Sequence, residues 1–152
     1  MISLQHVHHV LNVSLGSSFA NDQAFSNGLI RVLSSFPSAC PTLTALSRCV
    51  ADYLFNALYD RLGYEMKVQL NDGTQRRIYM ADLPDLADAL LMPLFLSFLP
   101  DASHYGLLHD FWMSTGSLSA MRVLCQRYSS FLPEQERALM DRVEQENQFF
   151  LQ

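Results

Sequence analysis

The apolar residues of this chain recur mainly at the spacing of an α-helix. Between residues 41 and 62 leucines and valines fall three or four positions apart, which places them on one helical face. Gly63 follows where a left-handed C-terminal cap belongs. An earlier helix is predicted to begin at a cap formed by Asn21 or Asp22 and to stop at Pro37.

Four further helices are predicted in the second half of the chain. Asp82 begins one of them, and Pro93 is expected to kink or end it because proline lacks the helical amide. Two more helices fit residues 103–113 and 117–131, and a last one starts at Pro133. The apolar stripe of this last helix is predicted to consist of Leu139, Val143 and Phe150.

Between these helical regions the hydrophobic period changes from helical to two. Met66, Val68 and Leu70 alternate with polar residues, Asp72-Gly73 supplies a turn, and a return strand follows. Asp-Gly between alternating residues is typical of a two-residue hairpin turn with positive φ at both central positions. The predicted fold is therefore mainly α, a single helical domain over residues 1–152 with about six helices and one β-hairpin inserted at about 65–80.

Composition favours a folded protein that covers part of its surface with a partner. Apolar residues make up 49% and charged residues 16%, against a usual charged share of about 25%. The net charge of −5 and the small size of the best basic cluster, Arg76-Arg77, argue against nucleic-acid binding. The charge balance instead favours a basic protein partner.

Cysteine usage and hydropathy predict a cytoplasmic protein without a membrane span. The three cysteines are an odd number with no C-x-x-C spacing, which differs from a secreted disulfide framework. No basic residue precedes Arg31, so a signal-peptide n-region is absent. The longest apolar run, 89–99, contains Pro93 and is too short to cross a bilayer.

No motif in the sequence predicts a cofactor. His6, His8 and His9 lie close together in a segment, 2–15, whose period fits a helix or a strand. A zinc site needs three or four converging ligands at recognisable spacing, and neither H-E-x-x-H nor paired C-x-x-C occurs, so a structural cluster is the preferred interpretation. The phosphate-binding G-x-x-x-x-G-K and G-x-G-x-x-G loops are also missing.

Two groups of polar residues are candidates for function. Asp82, Asp85 and Asp88 have i, i+3, i+6 spacing, so they share a helix face that a basic partner would bind. The dipole of the helix N-terminus accounts for Asp82 and Asp85, whereas Asp88 lies beyond the first turn. His104, His109 and Asp110 form an alternative ligand-binding or catalytic group around an apolar pocket. No nucleophile can be identified for this group from the sequence.

The leading hypothesis is a non-enzymatic protein-binding module. Its most specific form is an inhibitor, such as an immunity protein or antitoxin, that neutralises a toxin by binding it through the three aspartates. A small helical enzyme or ligand-binding domain that uses His104, His109 and Asp110 is the first alternative. A secretion chaperone or an oligomeric assembly subunit is the second, and the apolar C-terminal triplet 149–151 suggests it. Replacing Asp85 and Asp88 with arginine is expected to weaken binding and leave the fold intact.

Overall fold

Eight α-helices and one two-stranded hairpin form the part of the chain that the computed structural model describes, residues 3–98 and 101–151. In chain order they are α1 (Leu4–Leu15), α2 (Ser17–Ala20), α3 (Gln23–Leu33), α4 (Leu43–Leu62), β1 (Lys67–Gln69), β2 (Gln75–Arg77), α5 (Leu83–Phe98), α6 (Asp101–Thr115), α7 (Leu118–Arg127) and α8 (Glu134–Leu151). The predicted mainly α fold with an inserted hairpin is confirmed.

Side-chain caps fix where the first long helices begin. Ser3 accepts a hydrogen bond from the His6 amide and caps α1, so residues 4–15 form a helix and not a strand. Asp22 caps α3 by accepting from the Phe25 amide at 3.2 Å. Thr42 caps α4 in the same way, and Gly63, with φ 67°, ends it.

The core is centred on α4 and α5. The inward face of α4 consists of Leu43, Leu46, Val50, Leu54 and Leu58, all buried. Helix α5 buries Leu90, Leu91, Leu94 and Phe95 completely. Burial of these side chains outweighs the loss of one amide, so α5 continues through Pro93. The helical carbonyl that would accept from the amide missing at Pro93 belongs to Ala89, an exposed residue.

The hairpin lies on the helices through its apolar face. Met66, Val68 and Ile78 are buried, and the strands pair antiparallel with Val68 opposite Arg76. The tip of the hairpin is attached to α1 because the side-chain amide of Asn71 donates a hydrogen bond to Asn12 Oδ1 at 2.8 Å. A two-stranded sheet that is marginal alone in water is thereby held by the helical core.

The hairpin turn differs from the predicted two-residue form. The Leu70 amide donates to the Thr74 carbonyl at 2.8 Å, and among the described residues 70–74 Gly73 is the one with positive φ, 87°. Asp72 accepts from both the amide and the hydroxyl of Thr74, at 3.0 and 2.6 Å. These bonds favour a three-residue loop that ends in a left-handed glycine, and they lower the pKa of Asp72.

One residue of the predicted α8 stripe, Leu139, does not face the core. Leu139 is 43% exposed, whereas Met140 is fully buried against Cys125, with sulfur atoms 3.4 Å apart. Val143 is half-buried, and the side chain of Phe150 lies outside the described residues, as do those of the whole 149–151 triplet. Helix α8 packs chiefly on α7, so one narrow row of contacts decides which positions turn inward.

Replacing Gly28 with alanine should destabilise the protein by about 1–3 kcal/mol. Helix propensity alone would favour alanine by about 1 kcal/mol. A methyl group at Gly28, however, would overlap the Tyr53 side chain, which is held by donation to the Phe25 carbonyl at 2.7 Å. Urea denaturation of the wild type and Gly28→Ala measures the difference.

Gly106 provides the matched control because it is an exposed helical glycine with no atom near the added methyl group. Gly106→Ala should therefore stabilise by about 1 kcal/mol. In a Tyr53→Leu background Gly28→Ala should lose most of its cost. An equal cost in both backgrounds would refute the role of Tyr53.

Candidate functional site

Residues 79–85, which comprise most of the link between β2 and α5 and the first residues of α5, lie between two grooves on the protein surface. Leu83 is buried and anchors this segment, and its other residues are exposed. Both grooves include Arg77 and Tyr79 in their walls, so they form one continuous surface. We call it the 79–85 surface.

The first part of this surface is a charged groove of about 440 Å³ between the hairpin, α5 and the start of α7. All three predicted aspartates line it, and they are joined there by residues that the sequence did not connect with them. These additional polar residues are Ser14, Arg76, Arg77, Ser117, Ser119 and Arg122. Both signs of charge therefore meet in this groove, and the prediction of a purely acidic patch needs correction.

Asp88 is a buried structural residue and not an exposed member of an acidic patch. Its side chain is 8% exposed and accepts a hydrogen bond from the Ser47 hydroxyl on α4. Burial raises the pKa of Asp88, while hydrogen bonds from Ser47 and Ser117 partly oppose that rise and nearby Asp85 adds to it. Asp88→Arg would place a larger, positively charged side chain in this packed position, so this substitution is expected to destabilise the fold.

Asp88 also connects three helices. It lies on α5, Ser47 lies on α4, and Ser117 is the N-cap of α7, where its hydroxyl accepts from the Ala120 amide at 3.3 Å. Asp82 and Asp85, in contrast, are exposed. A partner would therefore meet these two carboxylates, while Asp88 holds the floor of the groove in place.

The arginines of the charged groove have different environments. Arg122 is engaged by Glu144 on α8 through two bonds of 3.1 and 3.0 Å, which raises the pKa of Arg122 and lowers that of Glu144. Arg76 donates to the Ser14 carbonyl at 3.4 Å, and the Arg77 guanidinium lies 5.5 Å from the centre of the Tyr79 ring. Arg76 and Arg77 are exposed and so remain accessible on the rim.

The second part of the surface is an aromatic groove of about 350 Å³ between the end of α4 and the hairpin. Three large side chains on its rim are strongly exposed: Tyr64 at 89%, Met80 at 62% and Tyr79 at 56%. The Tyr59 and Tyr64 rings meet edge to face at 5.3 Å, and their hydrogen bond raises the pKa of Tyr59. Phe55 stacks on Tyr59 at 5.9 Å and completes the groove wall.

Sequence analysis missed the aromatic groove. Its residues come from three separate segments, namely α4, the turn after Gly63 and the exit from β2. The available signal was the run Ile78-Tyr79-Met80, where three large apolar residues follow one another and at least one must face outward from a strand end. Exposed aromatic residues in a cluster mark interaction sites more often than scattered ones do.

His104, His109 and Asp110 do not converge on a common pocket. His104 is buried, and its Nδ1 lies 3.1 Å from the Tyr128 hydroxyl. His109 pairs through Nε2 with Glu136 on α8 at 2.8 Å. Asp110 is exposed and lines a different groove, beside the start of α4. The positions i, i+5 and i+6 diverge around α6, so this arrangement gives no support to a shared site.

The N-terminal histidines also diverge. His6 Nε2 lies 3.1 Å from the Pro93 carbonyl on α5, and His8 Nδ1 lies 3.0 Å from the Ala20 carbonyl on α2. His9 is exposed. Within residues 3–98 and 101–151, no group of three or more histidine, cysteine, aspartate or glutamate side chains is placed to hold a metal ion.

No protein-family model, curated protein or solved structure matches this chain. Among the described helices, none combines the length and the apolar character that crossing a membrane requires.

Because Asp88 has a raised pKa, its contribution to the free energy of unfolding should decrease as pH rises, which is opposite in sign to the effect of a carboxylate with a lowered pKa. The folded-state pKa lies above the ordinary value of 3.8, so the contribution of Asp88 is fully present below that value. It is lost as pH rises through the folded-state pKa. Asp88→Asn removes the titration, so the unfolding free energy of the wild type should fall relative to that of the variant as pH rises above 3.8.

Chemical denaturation of both proteins over a pH series measures this difference. Subtracting the variant cancels carboxylates such as Asp72 and Glu144, whose lowered pKa values act in the opposite direction in both proteins. Asp88→Ala should cost about 1–3 kcal/mol because it leaves buried hydroxyls unpaired. A wild-type stability that rises relative to Asp88→Asn over the same range would contradict the assignment.

Proposed function

We propose that this protein is a non-enzymatic protein-binding module that docks a basic partner protein on the 79–85 surface. The observation that carries the proposal is the continuity of the two grooves through Arg77 and Tyr79. An apolar centre bordered by charged and polar groups is the anatomy of protein interfaces, which are enriched in tyrosine, methionine and arginine.

The aromatic groove supplies the apolar part of the proposed interface. Tyr64, Tyr79 and Met80 expose most of their side-chain area, and the groove between them is large enough for one or two apolar side chains of a partner. Tyrosine loses little conformational entropy on binding, since it has two side-chain torsions, and its hydroxyl retains a hydrogen bond. These side chains are the expected anchors.

The charged groove supplies orientation. Asp82 and Asp85 are exposed and would meet lysine or arginine side chains of the partner, and the net charge of −5 would attract a basic protein over a longer range. Arg76 and Arg77 lie on the same rim, so the partner would also need hydrogen-bond acceptors beside its own lysine or arginine side chains. This alternation of signs gives a partner one register and disfavours others.

The inhibitor hypothesis is the most specific form of this proposal. In that form the protein acts in the cytoplasm as an immunity protein or antitoxin and covers a basic surface of a toxin. A small rigid surface with aromatic anchors suits blocking one site on a partner. A secretion chaperone would instead be expected to pair with a second copy and to present a longer apolar groove.

The experiment begins with capture of partners from the source cells on the immobilised protein, followed by calorimetry with the purified basic partner. Tyr79→Ala should weaken binding about 30-fold, since an interface anchor contributes about 2 kcal/mol. Asp82→Arg with Asp85→Arg should also weaken binding and should reduce its dependence on salt. Addition of the protein should block the activity of the partner.

A matched control uses Asp110→Arg with Glu146→Arg, which changes the net charge equally at exposed positions outside both grooves. This variant should bind the partner within about threefold of the wild-type affinity, because charges outside the interface act on the partner only over a long range. Loss of affinity in the control to the same extent as in Asp82→Arg with Asp85→Arg would overturn the proposed surface. If the immobilised protein captures no basic protein from the source cells, the proposed function is overturned.

A further inference from the structure

Two of the three cysteines lie in contact where the loop after α3 meets α4. Cys40 is in that loop and is 8% exposed, while Cys49 is on α4 and is partly exposed. Their Sγ atoms are 3.3 Å apart, although the two residues are separated by nine positions in the sequence. The third cysteine, Cys125, contacts Met140 instead.

The backbone on both sides of this pair is held in place. The amides of Ala39 and Cys40 donate to the Ser35 carbonyl at 2.8 and 3.0 Å, and the Thr42 cap begins α4 two residues after Cys40. Cys49 lies well inside α4. Because a disulfide bond is about 2.05 Å long, the sulfur atoms need to approach by only about 1.3 Å, which small side-chain rotations can provide.

We propose that Cys40 and Cys49 are an oxidation site that forms an intramolecular disulfide on exposure to a disulfide oxidant such as glutathione disulfide. In the first step one protein thiolate attacks a sulfur of the oxidant, so that a mixed disulfide forms and one glutathione thiolate leaves. In the second step the other protein thiolate attacks the protein sulfur of the mixed disulfide and releases the second glutathione. The two protein thiols lose two electrons and two protons, and glutathione disulfide gains them as two glutathione thiols.

The environment of the pair indicates the order of attack. Cys49 is the more exposed of the two, so an oxidant of this size reaches it first. The hydrogen bond with Cys40, and then burial, raise the pKa of the Cys49 thiol. The first step should therefore accelerate as pH rises above neutral, and Cys40 should act as the resolving thiol. This site is independent of the proposed partner-binding surface.

Trypsin makes the pairing directly readable because Arg48 separates the two cysteines. Cleavage after arginine places Cys40 in peptide 32–48, Cys49 in peptide 49–61 and Cys125 in peptide 123–127. The full-length protein is incubated with glutathione disulfide, its remaining thiols are alkylated, and the digest is weighed by mass spectrometry. The expected product is peptide 32–48 joined to 49–61, which separates on reduction, with Cys125 alkylated.

Variants then assign the roles of the two cysteines. Cys125→Ser should give the same linked peptides at the same rate, whereas Cys40→Ser should stop at a glutathione adduct on Cys49. The wild-type digest decides the outcome even if Cys40→Ser folds poorly. Full alkylation of Cys40 and Cys49 after prolonged oxidation, a link to Cys125, or a link between two molecules would overturn the proposal.

Discussion

Burial of the apolar faces of α4 and α5 against each other is the constraint on which the rest of this structure depends. The inward leucines of α4 are buried, and α5 buries Leu90, Leu91, Leu94 and Phe95 completely. Helices α1, α3, α6 and α7 are arranged around this pair. Because burial of this size outweighs local preferences, α5 retains its helix through Pro93 and accepts the buried carboxyl group of Asp88 beside its apolar neighbours.

The surface follows from the same imbalance between apolar and charged residues. With 49% apolar residues in the chain, the helices leave several large apolar side chains exposed, and three of them, Tyr64, Tyr79 and Met80, cluster at the end of α4 and the exit from the hairpin. The neighbouring groove holds carboxylates that are exposed at Asp82 and Asp85 and buried at Asp88. The hydrogen bonds of Asp88 with Ser47 and Ser117 join the helices that form this groove.

The helices that sequence analysis predicted well are those with a strong period and a clear cap. Leucine spacing together with Gly63 located α4, and Asp22 located α3, because these signals are local. The i, i+3, i+6 spacing placed three aspartates on one groove. It gave no information on Ser47, which is 41 positions from Asp88 and comes to it only through the packing of α4 on α5. The aromatic groove and the burial of Met140 in place of Leu139 on α8 likewise depend on contacts between distant segments.

Hydrogen exchange on the complex with the co-purified basic partner tests the central claim most directly. The account predicts slower exchange of backbone amides at residues 64–66 and 77–85 when the partner is bound, with α6 and α8 unchanged. Protection confined to α6 or α8, with residues 77–85 exchanging as in the free protein, would contradict the assignment of the binding surface.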